Sequence, residues 1–361
     1  MSDTVISYYR YDPSHVAPAV FAGVVGLSLV VHIWQNFHYR FWRVTFWLFL
    51  GSLVFTIGWI LRCISSFQTG NKGLYIAQTI FIYLAPPIYS AAAYNMVGRL
   101  MNYLPMHAVF HPDRVLIVFV YLGVIVETVT AAGAARLAAA QSNLKLFKSG
   151  GDLITTGLIL QIVVESMVIL TVAIIHRRVA KTRHTPRNVK IVCRTLYGTS
   201  FFVLLRCIFR TVEAFDRFGN IDCTNNCSPI VSNEWYLFAF ELGPMLIFTY
   251  WLNILHPGQY LPRDKTRYLD LDGHTERMGP GWTDRRSRWA TFADPLDFEG
   301  KIKGHVSHDE FWLRPGEWPV CEDGSFVDGT ASNSKAPPRS MKRAKKRAKG
   351  TEVHSVSTVT V

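Results

Sequence analysis

Seven apolar blocks, each about as long as a bilayer core is thick, decide what this chain can fold into. They occupy roughly 18–35, 44–66, 74–104, 115–138, 152–176, 195–215 and 235–255. About 20 apolar residues span a hydrocarbon core. None of the blocks alternates polar and apolar residues as barrel strands do, and only a helix satisfies all of its backbone groups within one such segment. The reading is all-α: a polytopic membrane protein with seven transmembrane helices. It divides into an N-terminal segment 1–17, a membrane domain 18–255 and a polar tail 256–361. The opening MSDTVISYYRYDPSH lacks the basic head and short apolar core of a secretory signal, so the first span is expected to direct its own insertion.

Lys and Arg near span ends accumulate on the cytoplasmic side. With the N-terminus outside, that side receives Arg40, Arg43, Arg99, Arg114 and the loop RRVAKTRHTPRNVKIVCR at 177–194. The other side keeps Arg10, Lys72, Lys145, Lys148 and Arg217. The bias predicts an outside N-terminus and a cytoplasmic C-terminus. Trp34, Trp42, Trp59 and Trp235 sit near span ends, where interfacial aromatics belong, and His32 reads as interfacial too. Cys223 and Cys227, in DCTNNCSP, fall in an outside loop where a disulfide is permitted; two free thiols are the alternative. No His or third Cys lies beside them, so no metal site is expected.

After the last span the chain becomes polar and rich in Gly, Pro and charge, a composition that reads as mostly disordered. Its run KRAKKRAK, Lys342 to Lys349, fits contact with anionic inner-leaflet lipid, at about 1 kcal/mol per basic residue. It fits equally a solvated run that fixes topology. No nucleic-acid-binding fold accompanies it, so no nucleic-acid partner is expected.

A charge inside a span costs about 2.5–3.5 kcal/mol on insertion scales and therefore faces the bundle interior or water. The sixth block carries Arg206, Arg210 and Glu213, which fall within about 60° of one another on a helix. The other intramembrane charges are Arg62, Arg99, Glu127, Glu165 and Glu241. Counting residues from the span ends puts Arg206, Glu127 and Glu165 at one depth, and Arg210, Glu213, Glu241 and Arg62 closer to the outer face. Opposite charges at one depth invite pairing. The expectation is Arg206 with Glu165 or Glu127, and Arg210 or Arg62 with Glu241. Such pairs either line a ligand-accessible cavity or simply lock helices together. In the third span, YLAPPIYSAAAYNMVGRL, Pro86 and Pro87 remove backbone donors and are expected to kink the helix, while Tyr83, Tyr89, Tyr94 and Asn95 put polar tips into the bundle. Gln161 and Glu165 share one face of the fifth helix.

Together these residues resemble the fungal RTA-like, or lipid-translocating exporter, family of seven-helix proteins. Leu84, Ala85, Pro86, Ala91, Ala92, Tyr94, Gly98 and Arg99 meet its third-span signature. Gly151, Gly157 and Gln161 in GDLITTGLILQ match its Gly-rich entry to the fifth helix, and Arg206, Arg210 and Glu213 match its sixth-span motif. NEWYLFAFELGPM followed by HPG resembles its last span through Glu234, Tyr236, Met245, His256, Pro257 and Gly258. The resemblance covers about 10 to 260 and leaves out the tail. The chain departs at Phe55, where the family often has an acidic residue. It also departs at Gly123 and Thr130, in place of Asp and Gln around Glu127, and at Glu241, in place of Asp.

The resemblance implies movement of lipids, such as sphingoid bases or phospholipids, across the plasma membrane, or resistance to toxic amphiphiles. No transmembrane His/Asp constellation suggests a metal hydrolase and no Ser motif an acyl transferase, so no enzyme and no cofactor are expected, and the chain has no GxxxxGK[ST] nucleotide motif. Membrane lipids are the expected partners. A seven-helix sensor for an amphiphilic ligand, signalling through 177–194 and the tail, is the alternative.

Overall fold

A computed structural model describes residues 7–321 apart from 10, 109, 141–142, 183–185, 220–228 and parts of 284–309. Seven helices are long and apolar enough to cross a membrane. They are α1 Val16–Tyr39, α2 Trp42–Phe67, α3 Lys72–Tyr103, α4 Pro112–Ala139, α5 Leu144–Ala180, α6 Arg187–Gly219 and α7 Trp235–Tyr260. Several outrun the apolar blocks. α5 has 37 residues and α6 has 33, because hydropathy reports only the embedded part while the helix continues to its cap. Asn71 and Asn143 supply such caps, accepting at 3.2 Å from Leu74 N and Leu146 N.

α3 is the hub, packing against α2, α4, α5 and α6. It stays helical through Pro86 and Pro87, which leaves the carbonyls of Ile82 and Tyr83 without their i+4 donors. α4 and α5 approach closely: a Cβ on Gly133 or Gly150 would lie 2.8–2.9 Å from the other's carbonyl oxygen. α7 is composite, with a helical turn Trp235–Leu237, a π-turn Phe238–Leu242 and an α-helix Gly243–Ile254.

Two interfacial expectations fail. Trp34, Trp42 and Trp235 are exposed, but Trp59 is fully buried among Phe21, Phe55 and Phe238. His32 is buried as well, in an uncharged polar ladder between α1, α2 and α7. Thr249 Oγ1 is its centre, 2.8 Å from Ser28 Oγ and 3.0 Å from His32 Nε2. Asn253 Nδ2 donates to Ser28 Oγ at 2.6 Å, Gln35 Nε2 donates to the Asn253 carbonyl at 2.6 Å, and Tyr89 OH donates to Ser52 Oγ at 3.0 Å. Position along the chain placed His32 near a span end; inter-helix packing decides its burial.

The disorder expected from residue 256 onward also fails in the described part. An antiparallel hairpin pairs β1 Arg267–Leu269 with β2 Glu276–Met278. Tyr103, at the end of α3, donates to Glu276 at 2.6 Å, and Glu276 also pairs with Arg267. Tyr268, Phe311 and Trp312 form a small core with Met106, Trp282 and Trp318. Average composition hid these aromatics. The Cys223–Cys227 pair and Lys342–Lys349 lie outside the described residues.

Candidate functional site

The sixth-helix charges do form one stripe, and α7 supplies its counter-charge. Arg206 is 3% exposed and Glu241 is fully buried. Arg206 Nε and Nη2 both reach Glu241 Oε1, at 2.8 and 2.7 Å. This corrects the expected pairing of Arg206 with Glu165 or Glu127. Glu241 lies in the π-turn of α7, and such turns, rare in helices, recur at functional sites. A residue count assumes a uniform α-helix and does not register this turn. Glu165 has a different partner: it accepts from Tyr94 OH at 2.8 Å.

Arg210 bridges two carboxylates. Its Nη1 pairs with Glu213 one turn on, and its Nε lies 3.7 Å from Glu241 Oε2, as the depth argument allowed. Its guanidinium also sits 4.0 Å from the Tyr83 ring centroid, a cation–π contact. Arg62 does not reach Glu241. Its Nη2 donates to Glu234 Oε1 at 2.5 Å and to Tyr11 OH at 2.9 Å. Glu234 stands next to α7 in a turn region, so no count of intramembrane charge included it, although the resemblance named it. Its other oxygen accepts from Ser14 N at 2.7 Å, tying down the segment before α1. Burial pushes the Tyr11 phenol up to about 12, so it meets Arg62 as a neutral hydroxyl.

Two cavities adjoin these groups. The larger, about 70 Å³, lies toward the N-terminal face between Arg62, Tyr83, Glu213 and Arg217, with Tyr9 and Tyr11 over it. The smaller, about 20 Å³, lies by Pro87, Tyr94, Glu127 and Gln161. A water needs roughly 10–15 Å³ on this measure, so the first holds several small groups and the second one or two. Glu127 is half-buried, and no described side chain hydrogen-bonds its carboxylate. Arg99 is not with the others. It lies near the far end of α3, where it donates to the carbonyls of Pro262 (3.1 Å) and Arg263 and faces the Phe41 ring at 5.2 Å. There it holds the chain leaving α7. His256 of the HPG motif stacks on Tyr39 at 4.7 Å in the same region. A Cβ on Gly258 would fall 2.9 Å from Tyr39 Cβ, so only glycine fits.

Fold and site together define a seven-helix integral membrane protein with an arginine–glutamate cluster buried beside a tyrosine-lined chamber. Residues 48–264 match the model of the family described as RTA1 like protein, and the chain belongs to that family. The lipid-translocating exporter-like protein RTA1 of Leptosphaeria maculans is 33% identical over 77% of this chain and 56% of its own length. The protein of the same name from Ajellomyces capsulatus is 29% identical over 74% of this chain and 85% of its own. The probable lipid transporter atnI of Emericella nidulans is 26% identical over 70% of this chain and 68% of its own. The chain thus spans little more than half the length of the first. These relatives are named as exporters or transporters. No solved structure matches the chain.

Proposed function

We propose that the protein translocates amphiphilic lipids across the plasma membrane, with the N-terminus outside and the C-terminal segment cytoplasmic. The observation that carries the reading is the Arg206–Glu241–Arg210–Glu213 network, buried in a bilayer-spanning bundle and continuous with a polar chamber. A lipid headgroup crossing the core needs polar partners there, and intramembrane charges mark such paths. Charge-assisted hydrogen bonds serve both headgroup signs: Arg binds phosphate, and a carboxylate binds an amine. Glu127, Gln161 and Tyr94 line a second, smaller polar recess, with Glu165 held by Tyr94. A cavity of about 70 Å³ cannot hold a whole lipid, so translocation requires helices to part while acyl chains stay in the bilayer. The names of the relatives, and the basic loop 177–194 as an inside marker, support the reading. No residue here is assigned to catalysis.

Purified protein in vesicles tests this. Labelled sphingoid base or phospholipid is expected to change leaflet faster than in protein-free vesicles. Binding without flux would instead make the protein a sensor.

A further inference from the structure

The chamber at the N-terminal face contains a cation that the buried network leaves over. Among the described residues, Arg62, Arg206, Arg210 and Arg217 are the arginines in or beside the network and chamber, and Glu213, Glu234 and Glu241 are the carboxylates that pair with them. Glu213 is taken by Arg210, Glu234 by Arg62, and Glu241 by Arg206 and Arg210. Arg217, one turn beyond Glu213 on α6, has no carboxylate within 4.0 Å among the described residues. Among the described residues its side-chain hydrogen-bond partner is a phenol: Nη2 donates to Tyr75 OH at 3.4 Å. Arg62, which also lines the chamber, keeps a buried Nε–H with no acceptor. Tyr75 uses its oxygen as acceptor toward Arg217, so its O–H stays available. Gln78 Oε1 is a buried acceptor without a partner in the same lining, so the spare polar groups are of both kinds, but the spare charge is positive, in a cavity with room for several small heavy-atom groups.

We propose that this chamber binds a phosphate group, with Arg217 as the principal contact and Arg62 and Tyr75 as further donors. A phosphate presents three acceptor oxygens to these three donors, and a guanidinium fork meets two of them at once. A carboxylate offers too few oxygens, and an amine would face an unpaired cation. The inference rests on the translocation reading only for the source of the phosphate, a lipid headgroup; free phosphate carries the same chemistry. Tyr8, Tyr9 and Tyr11 line the site, where Tyr9 OH donates to Ser65 Oγ at 2.7 Å and Tyr11 OH accepts from Arg62 at 2.9 Å.

The test uses the full chain in micelles with three probes: a fluorescent lysophosphatidate, a sphingoid base carrying the same label, and inorganic phosphate. Arg217→Gln is expected to weaken lysophosphatidate about tenfold or more, the effect of losing a charge-assisted contact, and to leave the sphingoid base within about twofold. Arg217→Lys, which keeps the charge and loses the fork, is expected to fall between. Should Arg217→Gln fail to fold, Tyr75→Phe keeps the ring stack with Tyr8 and is expected to weaken lysophosphatidate alone, by about fivefold. Inorganic phosphate that displaces the lipid at similar concentration assigns the site to the free anion; failure to displace it assigns the site to the headgroup. Unchanged lysophosphatidate binding in both variants, or equal loss of both amphiphiles, overturns the proposal. Flux keeps the two readings apart. Wild-type flux with Arg217-independent phosphate binding defeats only this inference. Arg217-dependent binding without flux defeats only translocation.

Discussion

Toward the N-terminal face, α6 and α7 meet through two guanidiniums and the Glu241 carboxylate. In the other half of α7 the bundle is joined by hydroxyls, amides and an imidazole around Thr249. Both sets are buried and both link separate helices, the charged set the consecutive α6 and α7, the ladder α7 with α1 and α2. Their energetics differ. A charge in a span costs about 2.5–3.5 kcal/mol, whereas a neutral inter-helix hydrogen bond contributes about 0.6–1.7 kcal/mol without that cost. The protein thus has an inexpensive way of holding α7 in place and uses it in the ladder. The Arg206–Glu241–Arg210–Glu213 charges, by contrast, adjoin a chamber through Glu213. The difference separates a fastening from a site.

The largest test removes the carboxylate. Glu241→Gln leaves Arg206 buried without a counter-charge and is expected to cost about 3–5 kcal/mol, read as thermal unfolding in lipid nanodiscs. Replacing both partners, Arg206→Met with Glu241→Leu, removes the stranded charge and is expected to recover most of that loss while flux stays at the protein-free level. A double variant that still moves lipid would make the cluster another fastening, and the comparison would collapse.

Tyr94→Phe comes next. It takes from Glu165, 1% exposed, the hydrogen bond that Tyr94 OH donates at 2.8 Å and is expected to cost about 1–3 kcal/mol in the same measurement. A reduced flux of an amine-bearing lipid, beyond what the stability change explains, would extend the site from α6 and α7 to the recess at Glu127 and Gln161.

Much of this was legible in the sequence, for identifiable reasons. Apolar length exposes every span, and a 100° step per residue places Arg206, Arg210 and Glu213 on one face. What a regular helix cannot convey is a π-turn, and Glu241, the partner of Arg206, lies in one, at Phe238–Leu242. Glu234, the partner of Arg62, stands in a turn beside α7, and hydropathy marks charges inside spans, not those in turns. Neutral polar residues give little hydropathy signal, and so the ladder through Ser28, His32 and Thr249 went unread as a unit. The hairpin after α7 was hidden because a few aromatics, Tyr268, Phe311 and Trp312, build its core within a largely polar stretch.

Thr249→Val is the smallest expected effect and the one that sharpens the comparison most. The substitution keeps the volume and the branched shape, so packing against α1 and α2 is retained. It removes the oxygen that meets Ser28 and His32 at 2.8 and 3.0 Å and Ser52 at 3.5 Å. Two of those partners keep alternatives, Ser28 accepting from Asn253 and Ser52 from Tyr89, while His32 loses the side-chain partner of its Nε2. The loss is expected to stay within about 0.6–1.7 kcal/mol in nanodisc unfolding, with lipid flux unchanged once folded protein is equalised. A variant that unfolds normally and yet moves no lipid would put the ladder on the translocation path. The boundary between fastening and site would then shift from the charged cluster to the whole buried face of α7.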